Sequence, residues 1–485
     1  MLKRLFELLK DALAYGTSSI AQKIAGFLLI PLYTRHLEPA DYGIIAMLVM
    51  MQSILEAFIL LGQKSAVFRE VGLAKEDGSR GGAFTVGLVI VACSGFVTLC
   101  LAQLFAPQLS DIFLGPGNDV GLVRIVLISS FLNCLCEMPR MALQADRRAK
   151  TAASLTAFQT FTTMLLTVLL VVVLEWGVWG VIASALITLV PFTFIYIGIC
   201  RKLFGFHWNS ELARQLIIYG LPFVPYRVQL MLFAMFGEYL VRTKMGLDEA
   251  GCYNIAKRFS LPLAFVVTAI TNAWWGYKFH LYKEEEDSAG ALSSVSTYVL
   301  AGLTYVWVGV SLWSPELVLL LTPAEYHAAA VLVPAIALFL LLTGFQQMLT
   351  SGIWLGDNAK PIFVITLTGL IIVVPLGLWA LPLYGALGVA TSVCVAQLGM
   401  NYVGYRLARS RYVIKYDWWL TGLLFVGGIV FVVLGRSFSD LELLPRLGLI
   451  TGLCLLYPLL VLLLLARSTS ERDRMKSVFM HLKNR

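Results

Sequence analysis

Apolar runs about twenty residues long follow one another along almost the whole chain, and nothing between them is long enough to fold independently. They lie at about 12–34, 41–62, 82–104, 120–139, 154–174, 177–199, 212–236, 250–274, 291–313, 327–350, 360–382, 384–405, 418–435 and 446–466. A helix needs roughly 20 apolar residues to cross a bilayer, so the reading is fourteen transmembrane helices. The 485 residues are 59% hydrophobic and 14% charged, against about 45–50% and about 25% in a soluble domain. That balance excludes a cytosolic enzyme, a nucleic-acid-binding protein and a disulfide scaffold. Residues 1–13 alternate charge and apolar groups at helical spacing, which describes a surface-lying amphipathic helix rather than a cleaved leader. The last residues read the same way. The eight cysteines lie in or beside apolar runs without metal-type spacing, and read as small packing groups.

Basic residues set the orientation. With the N-terminus inside, the cytoplasmic connections collect 27 of the 37 Lys and Arg, among them Lys64 and Arg140, and the outer ones collect 5. Cytoplasmic loops of membrane proteins concentrate Lys and Arg, so both termini are expected in the cytoplasm. The net charge of +8 needs no nucleic acid to explain it.

Part of the chain repeats. Tyr15-Gly16 recurs as Tyr219-Gly220, and Leu37-x-x-Ala40-x4-Ile45-Ala46 as Leu247-x-x-Ala250-x4-Ile255-Ala256. Asp146 through Lys150 resembles Asp357 through Lys360. Gly177-x-x-Gly180-Val181-x-x-Ser184 returns as Gly385-x-x-Gly388-Val389-x-x-Ser392. Four matches in one order argue for duplication. The expected organisation is an interfacial helix at 1–11, an N-lobe at 12–205 (spans 1–6), a C-lobe at 206–410 (spans 7–12), an extra pair at 411–467 and an amphipathic tail at 468–485. Six spans per copy relate the lobes by an axis along the membrane normal.

Five basic residues fall inside spans: Lys23, Arg124, Arg227, Lys257 and Arg258. A charge at mid-bilayer costs about 2.5–3.5 kcal/mol on insertion scales, so such residues ask for a function or a partner. Lys23 and Arg227 stand eight residues after the two Tyr-Gly pairs, at matching places in the repeat. Glu56 reads as the single clear acid within a span. Gln22 joins Lys23 on one helical stripe, Gln52 joins Glu56, Asn254 joins Arg258, and Gln159 lies in a threonine stripe of span 5. Polar stripes face a wet cavity or another helix. Several alternatives stay open. Lys23 and Glu56 could form a structural ion pair, and Arg124, Lys257 and Arg258 could reach the outer headgroups. The Gln and Thr stripes could bond helix to helix. Excess positive charge among the spans nonetheless points to an anionic ligand. Gly26 and Pro31 in span 1, and Pro222 and Pro225 in span 7, mark paired bends that could act as hinges. No His cluster, phosphate-binding glycine loop or catalytic constellation stands out.

The stretch Ile30-Pro31-Leu32-Tyr33-Thr34-Arg35-His36-Leu37-Glu38-Pro39-Ala40-Asp41-Tyr42-Gly43 resembles the span 1–2 link of the Wzx-type polysaccharide transporters. That family of flippases lies in the multidrug/oligosaccharidyl-lipid/polysaccharide exporter (MOP) superfamily. Leu61-Gly62 with Ala66 and Arg69 resembles its second-span end. The resemblance implies two six-helix bundles around a cavity, no enzymatic activity and no cofactor. It implies transport of a polyprenyl-diphosphate-linked oligosaccharide for surface polysaccharide such as lipopolysaccharide O-antigen. Polymerase and glycosyltransferases would be partners, and a proton or sodium gradient could drive the cycle. Carried over, Lys23 and Arg227 would contact the diphosphate, Lys257, Arg258 and Arg124 would line the outer cavity, and Glu56 would balance charge or carry a coupling proton. Three other readings remain: a cation-coupled multidrug antiporter of the same superfamily, a membrane polysaccharide polymerase or ligase, and a structural scaffold.

Overall fold

A computed structural model describes residues 34–73, 77–145, 149–201, 205, 209–221, 223–284, 288–354, 360–438 and 443–467. The expected interfacial helix at 1–11, the tail at 468–485, and Gln22, Lys23, Gly26, Pro31 and Pro222 lie outside them. The described chain is all-α: α1 (Pro39–Leu60), α2 (Gln63–Leu73), α3 (Asp77–Leu104), α4 (Ala106–Phe113), α5 (Val120–Ala145), α6 (Ala149–Val168), α7 (Gly177–Cys200), α8 (Ser210–Gly220), α9 (Phe223–Met245), α10 (Leu247–Phe259), α11 (Leu261–Glu284), α12 (Ser288–Leu321), α13 (Ala329–Leu349), α14 (Ser351–Trp354), α15 (Lys360–Arg409), α16 (Trp418–Ser437) and α17 (Leu443–Arg467).

Among the described residues ten helices are long and apolar enough to cross a membrane, or eleven if the bent pair α8–α9 is one span. The protein is therefore a multi-pass membrane protein. Three features separate this number from fourteen. Span 1 lies outside the described residues. The expected span 8 is divided at Ser260 into α10 and α11. Spans 11 and 12 run on as α15, broken at Gly385, whose φ of 56° and ψ of −142° leave the helical region.

Local signals in the sequence start and stop these helices. Pro39 opens α1, where its missing N–H has no partner to lose, and the Glu38 N–H donates to the Asp41 carboxylate at 3.0 Å, half of a capping box. Asn209 caps α8 by accepting from the Glu211 and Leu212 N–H groups at 3.0 and 3.2 Å, and Asp417 caps α16 by accepting from Leu420 at 3.0 Å. Leu61 and Gly62, with φ of 45° and 69°, end α1 and restart the chain as α2. That two-residue reversal carries Gln63 into full burial, where its amide donates to the Leu216 carbonyl of α8 at 3.3 Å.

The described residues group into two compact units, one within Ile24–Asn254 and one within Ile255–Arg485. In the first, Val67, Phe84, Val91, Cys134 and Met138 form a core joining α2, α3 and α5. Backbones meet there without side chains between them. A Cβ on Gly43 would lie 2.1 Å from the Leu247 carbonyl oxygen, and one on Gly251 would lie 1.9 Å from that of Pro39. In the second unit Trp274, Trp307, Leu341 and Tyr457 anchor the core. The Trp307 indole donates to the Pro334 carbonyl of α13 at 3.0 Å. The last helix pair, α16 and α17, packs on α12 through Tyr457, whose hydroxyl donates to the Leu424 carbonyl at 3.1 Å. An ion pair of 2.6 Å between Arg446 and the nearly buried Glu316 adds to this, and Arg436 donates at 2.7 Å to the Ala330 carbonyl of α13, which Pro334, four residues on, leaves without a helical N–H donor.

Candidate functional site

In the first unit, α5 presents Asn133, Glu137 and Arg140 at spacings of four and three, which places them on one helical face. Around that face the structure assembles a polar track. From α1, Glu56 accepts two amides on the same oxygen, from Gln52 at 2.9 Å and from Asn133 at 2.8 Å. Gln52 stands one helical turn before Glu56, so the sequence stripe itself makes one of the bonds. Four residues beyond Asn133, Glu137 takes the Lys64 ammonium on Oε2 at 2.5 Å and the Arg140 guanidinium on Oε1 at 2.8 Å. Lys64 reaches α5 because the Leu61-Gly62 reversal places it one residue inside α2.

Arg140 continues the track. Its second terminal nitrogen donates to Gln159 of α6 at 2.8 Å, and its guanidinium carbon lies 5.1 Å from the Tyr196 ring centre of α7. Such a cation over an aromatic face is worth about 0.5–2 kcal/mol, more as water is excluded. The Tyr196 hydroxyl is 3.2 Å from that of Thr156. Arg227 of α9 is half-buried. Further along α9, Glu238 is 3% exposed and accepts the Asn254 amide at 2.7 Å.

Other expected positions fall elsewhere. The Arg124 side chain is exposed near the start of α5, and its carbonyl accepts from Gln103 at 3.0 Å. Lys257 and Arg258 occupy the last turn of α10, half-buried and in the second unit. There they complement the helix dipole, a favourable place for cations whatever else they do. Pro225 is the third residue of α9, where the lost N–H is an unpaired one anyway, beside a 41° bend between α8 and α9.

One reading needs correction. Glu56 is not the single acid within the helices: Glu137 lies in α5, Glu238 in α9 and Glu316 in α12, the last two buried. The reason for the miss is a boundary. The apolar run at 212–236 leaves Glu238 beyond a span end, whereas the break after Gly220 restarts the helix at Phe223 and carries it to Met245. The run ending at 139 likewise leaves Glu137 at a margin and Arg140 in a loop, although α5 continues to Ala145. The 133/137/140 spacing was the available signal. The helices therefore do not carry five cations against one acid: the first unit holds cations and carboxylates interleaved.

Comparison with known proteins fits this architecture. The chain resembles the lipid II flippase MurJ in an inward closed conformation, with a TM-score of 0.72 at 12% identity, covering 92% of this chain and 98% of that one. It resembles an inward-facing multidrug resistance MATE family transporter of the MOP superfamily at 0.66 and 16% identity, covering 80% and 94%. A MOP superfamily transporter from Pyrococcus furiosus Vc1, described by the reverse polarity of its binding pocket, matches at 0.60 and 16% identity, covering 86% and 96%. At these identities the likeness is one of fold. No curated protein shows significant sequence similarity. Residues 32–330 match the family model described as Polysaccharide biosynthesis protein, and the chain belongs to that family.

Proposed function

We propose that the protein moves a polyprenyl-diphosphate-linked oligosaccharide across the bacterial inner membrane by alternating access, for surface polysaccharide synthesis. The observation that carries this reading is the polar track of the first unit. It gathers arginine, amide and tyrosine groups on helices long enough to span the membrane, with a lysine reaching in from the short α2, in a chain of the polysaccharide biosynthesis family with a flippase-like fold. Helices facing only lipid gain nothing from such groups, which are costly there and are placed where a polar ligand or water meets them. The duplicated lobes at 12–205 and 206–410 supply the two bodies that alternating access needs. Lys23 and Arg227, at matching places in the repeat, hold the diphosphate. Lys257, Arg258 and Arg124 guide it on the outer side, and the termini lie in the cytoplasm.

The test is transport. Purified protein in liposomes should move a labelled lipid-linked oligosaccharide between leaflets. Lys23→Ala with Arg227→Ala should cut the rate at least tenfold at equal protein level, and surface polysaccharide in cells should fall with it. Undiminished translocation by the double variant overturns the role of these two cations. A second reading is favoured by one observation: three carboxylates, Glu56, Glu137 and Glu238, sit on helices of the first unit. Acids suit a cation-coupled antiporter, and uptake of cationic dyes without movement of lipid-linked sugar would select it.

A further inference from the structure

Lys64 and Arg140 belong to different helices, yet a single carboxylate holds both. Glu137 gives one oxygen to each, Oε2 to the ammonium at 2.5 Å and Oε1 to the guanidinium at 2.8 Å. A diphosphate would present the same thing, adjacent anionic oxygens at a spacing that spans two cations. Guanidinium groups favour such oxyanions because their donors lie in a rigid planar fork. The fork is held in place from outside the pair: Gln159 takes one terminal nitrogen at 2.8 Å and the Tyr196 ring lies 5.1 Å from the guanidinium carbon. Its buried Nε finds no acceptor among the described residues. Glu137 neutralises one of the two charges, so the cluster keeps one positive charge. The Lys64 side chain remains 45% exposed while those of Glu137 and Arg140 are 19% and 16% exposed. The site is thus open on the lysine side and walled on the arginine side.

We infer that Lys64 and Arg140 form a docking point for the diphosphate of the cargo, and that Glu137 is the internal anion that occupies it until cargo arrives. The inference rests on the anionic cargo proposed above, and it assigns the first contact to residues outside the Lys23–Arg227 pair. Incoming phosphate oxygens replace the carboxylate on both cations. Glu137 swings aside without any covalent change, and Gln159 and Tyr196 keep the guanidinium in position through the exchange. A carboxylate serving only to brace α2 against α5 predicts the opposite response to its neutralisation.

The experiment titrates inorganic diphosphate into the full-length protein in detergent, by calorimetry. Glu137→Gln should bind at least fivefold more tightly than the parent, because the internal competitor is gone. Adding Lys64→Gln and Arg140→Gln to that variant should reduce binding at least tenfold. Arg140→Lys should fall between, keeping charge but losing the fork. Glu137→Gln binding no tighter than the parent overturns the inference, as does unchanged binding in the triple variant. Size-exclusion profiles check folding. Should Glu137→Gln aggregate, Glu137→Asn, also uncharged and one methylene shorter, must still tighten binding, and parental affinity in that variant overturns the inference equally. Translocation of labelled lipid-linked sugar in liposomes separates the two proposals. Tight diphosphate binding at Lys64 and Arg140 without translocation removes the flippase reading alone. Translocation with no effect of these variants on diphosphate binding removes the docking point alone.

Discussion

Glu56 shows how much a side chain's neighbours decide about what its charge is for. Its contacts among the described residues are two amide donors, both of which a neutral acceptor could satisfy. Glu56→Gln should therefore leave the melting temperature close to that of the parent. Glu56→Leu leaves the half-buried Gln52 and Asn133 amides without this acceptor, at up to about 1 kcal/mol each given their partial burial, and should lower it measurably. Thermal unfolding of both variants beside their translocation rates decides the role of the charge: lost transport in the stable Gln variant means the charge itself is used. Of this site the sequence displayed the Gln52–Glu56 stripe, because both residues lie on one helix one turn apart. It hid the Asn133 bond, which joins α1 to α5 across 77 positions. Gln159 was singled out as a polar group in a threonine stripe, but its partner Arg140 counted as one more loop charge. Residue type and spacing speak for groups on one helix and are silent about which two helices meet.

At the scale of elements, the appended pair α16–α17 is tied to α12 by the Glu316–Arg446 ion pair at 2.6 Å, with Glu316 only 9% exposed. Removing one partner of a buried pair costs about 3–5 kcal/mol, because the other charge is left uncompensated. Glu316→Ala should loosen the pair from α12, read as increased proteolysis in the segment between α16 and α17. Glu316→Ala with Arg446→Ala should recover much of the loss. At the opposite end of α16, burial pushes the Tyr416 phenol well above its ordinary range, so it stays a neutral donor to the Met348 carbonyl at 2.9 Å. Helix existence was plain in the apolar runs, since about twenty consecutive apolar residues admit few other structures. Helix ends were not. Hydropathy ignores the break after Gly220 and the continuation of α5 to Ala145, and those two boundaries decided whether Glu238 and Arg140 belonged to helices or to loops.

For the whole molecule, the all-α membrane architecture followed from composition and run length, while the close approaches that hold the first unit together did not. Gly43 closes the family-like stretch and Gly251 stands out in no pattern, and neither shows in the sequence that a Cβ there would come within 2.1 and 1.9 Å, respectively, of a backbone oxygen of the other helix region. Small residues of this kind let helix backbones approach closely in membranes. Gly251→Ala should sharply reduce the yield of folded protein in size-exclusion chromatography. Gly302→Ala in α12, where a Cβ meets nothing within 4 Å, should leave it unchanged and serves as the control. Because no side chain intervenes at that crossing, the spacing between Pro39 and Gly251 does not vary with rotamers. Spin labels on positions flanking Pro39 and Gly251 would therefore work as a built-in ruler. A change in their separation during turnover, larger than the labels' own rotamer spread, would report backbone displacement at this crossing, because no native side chain lies between the two backbones to rearrange.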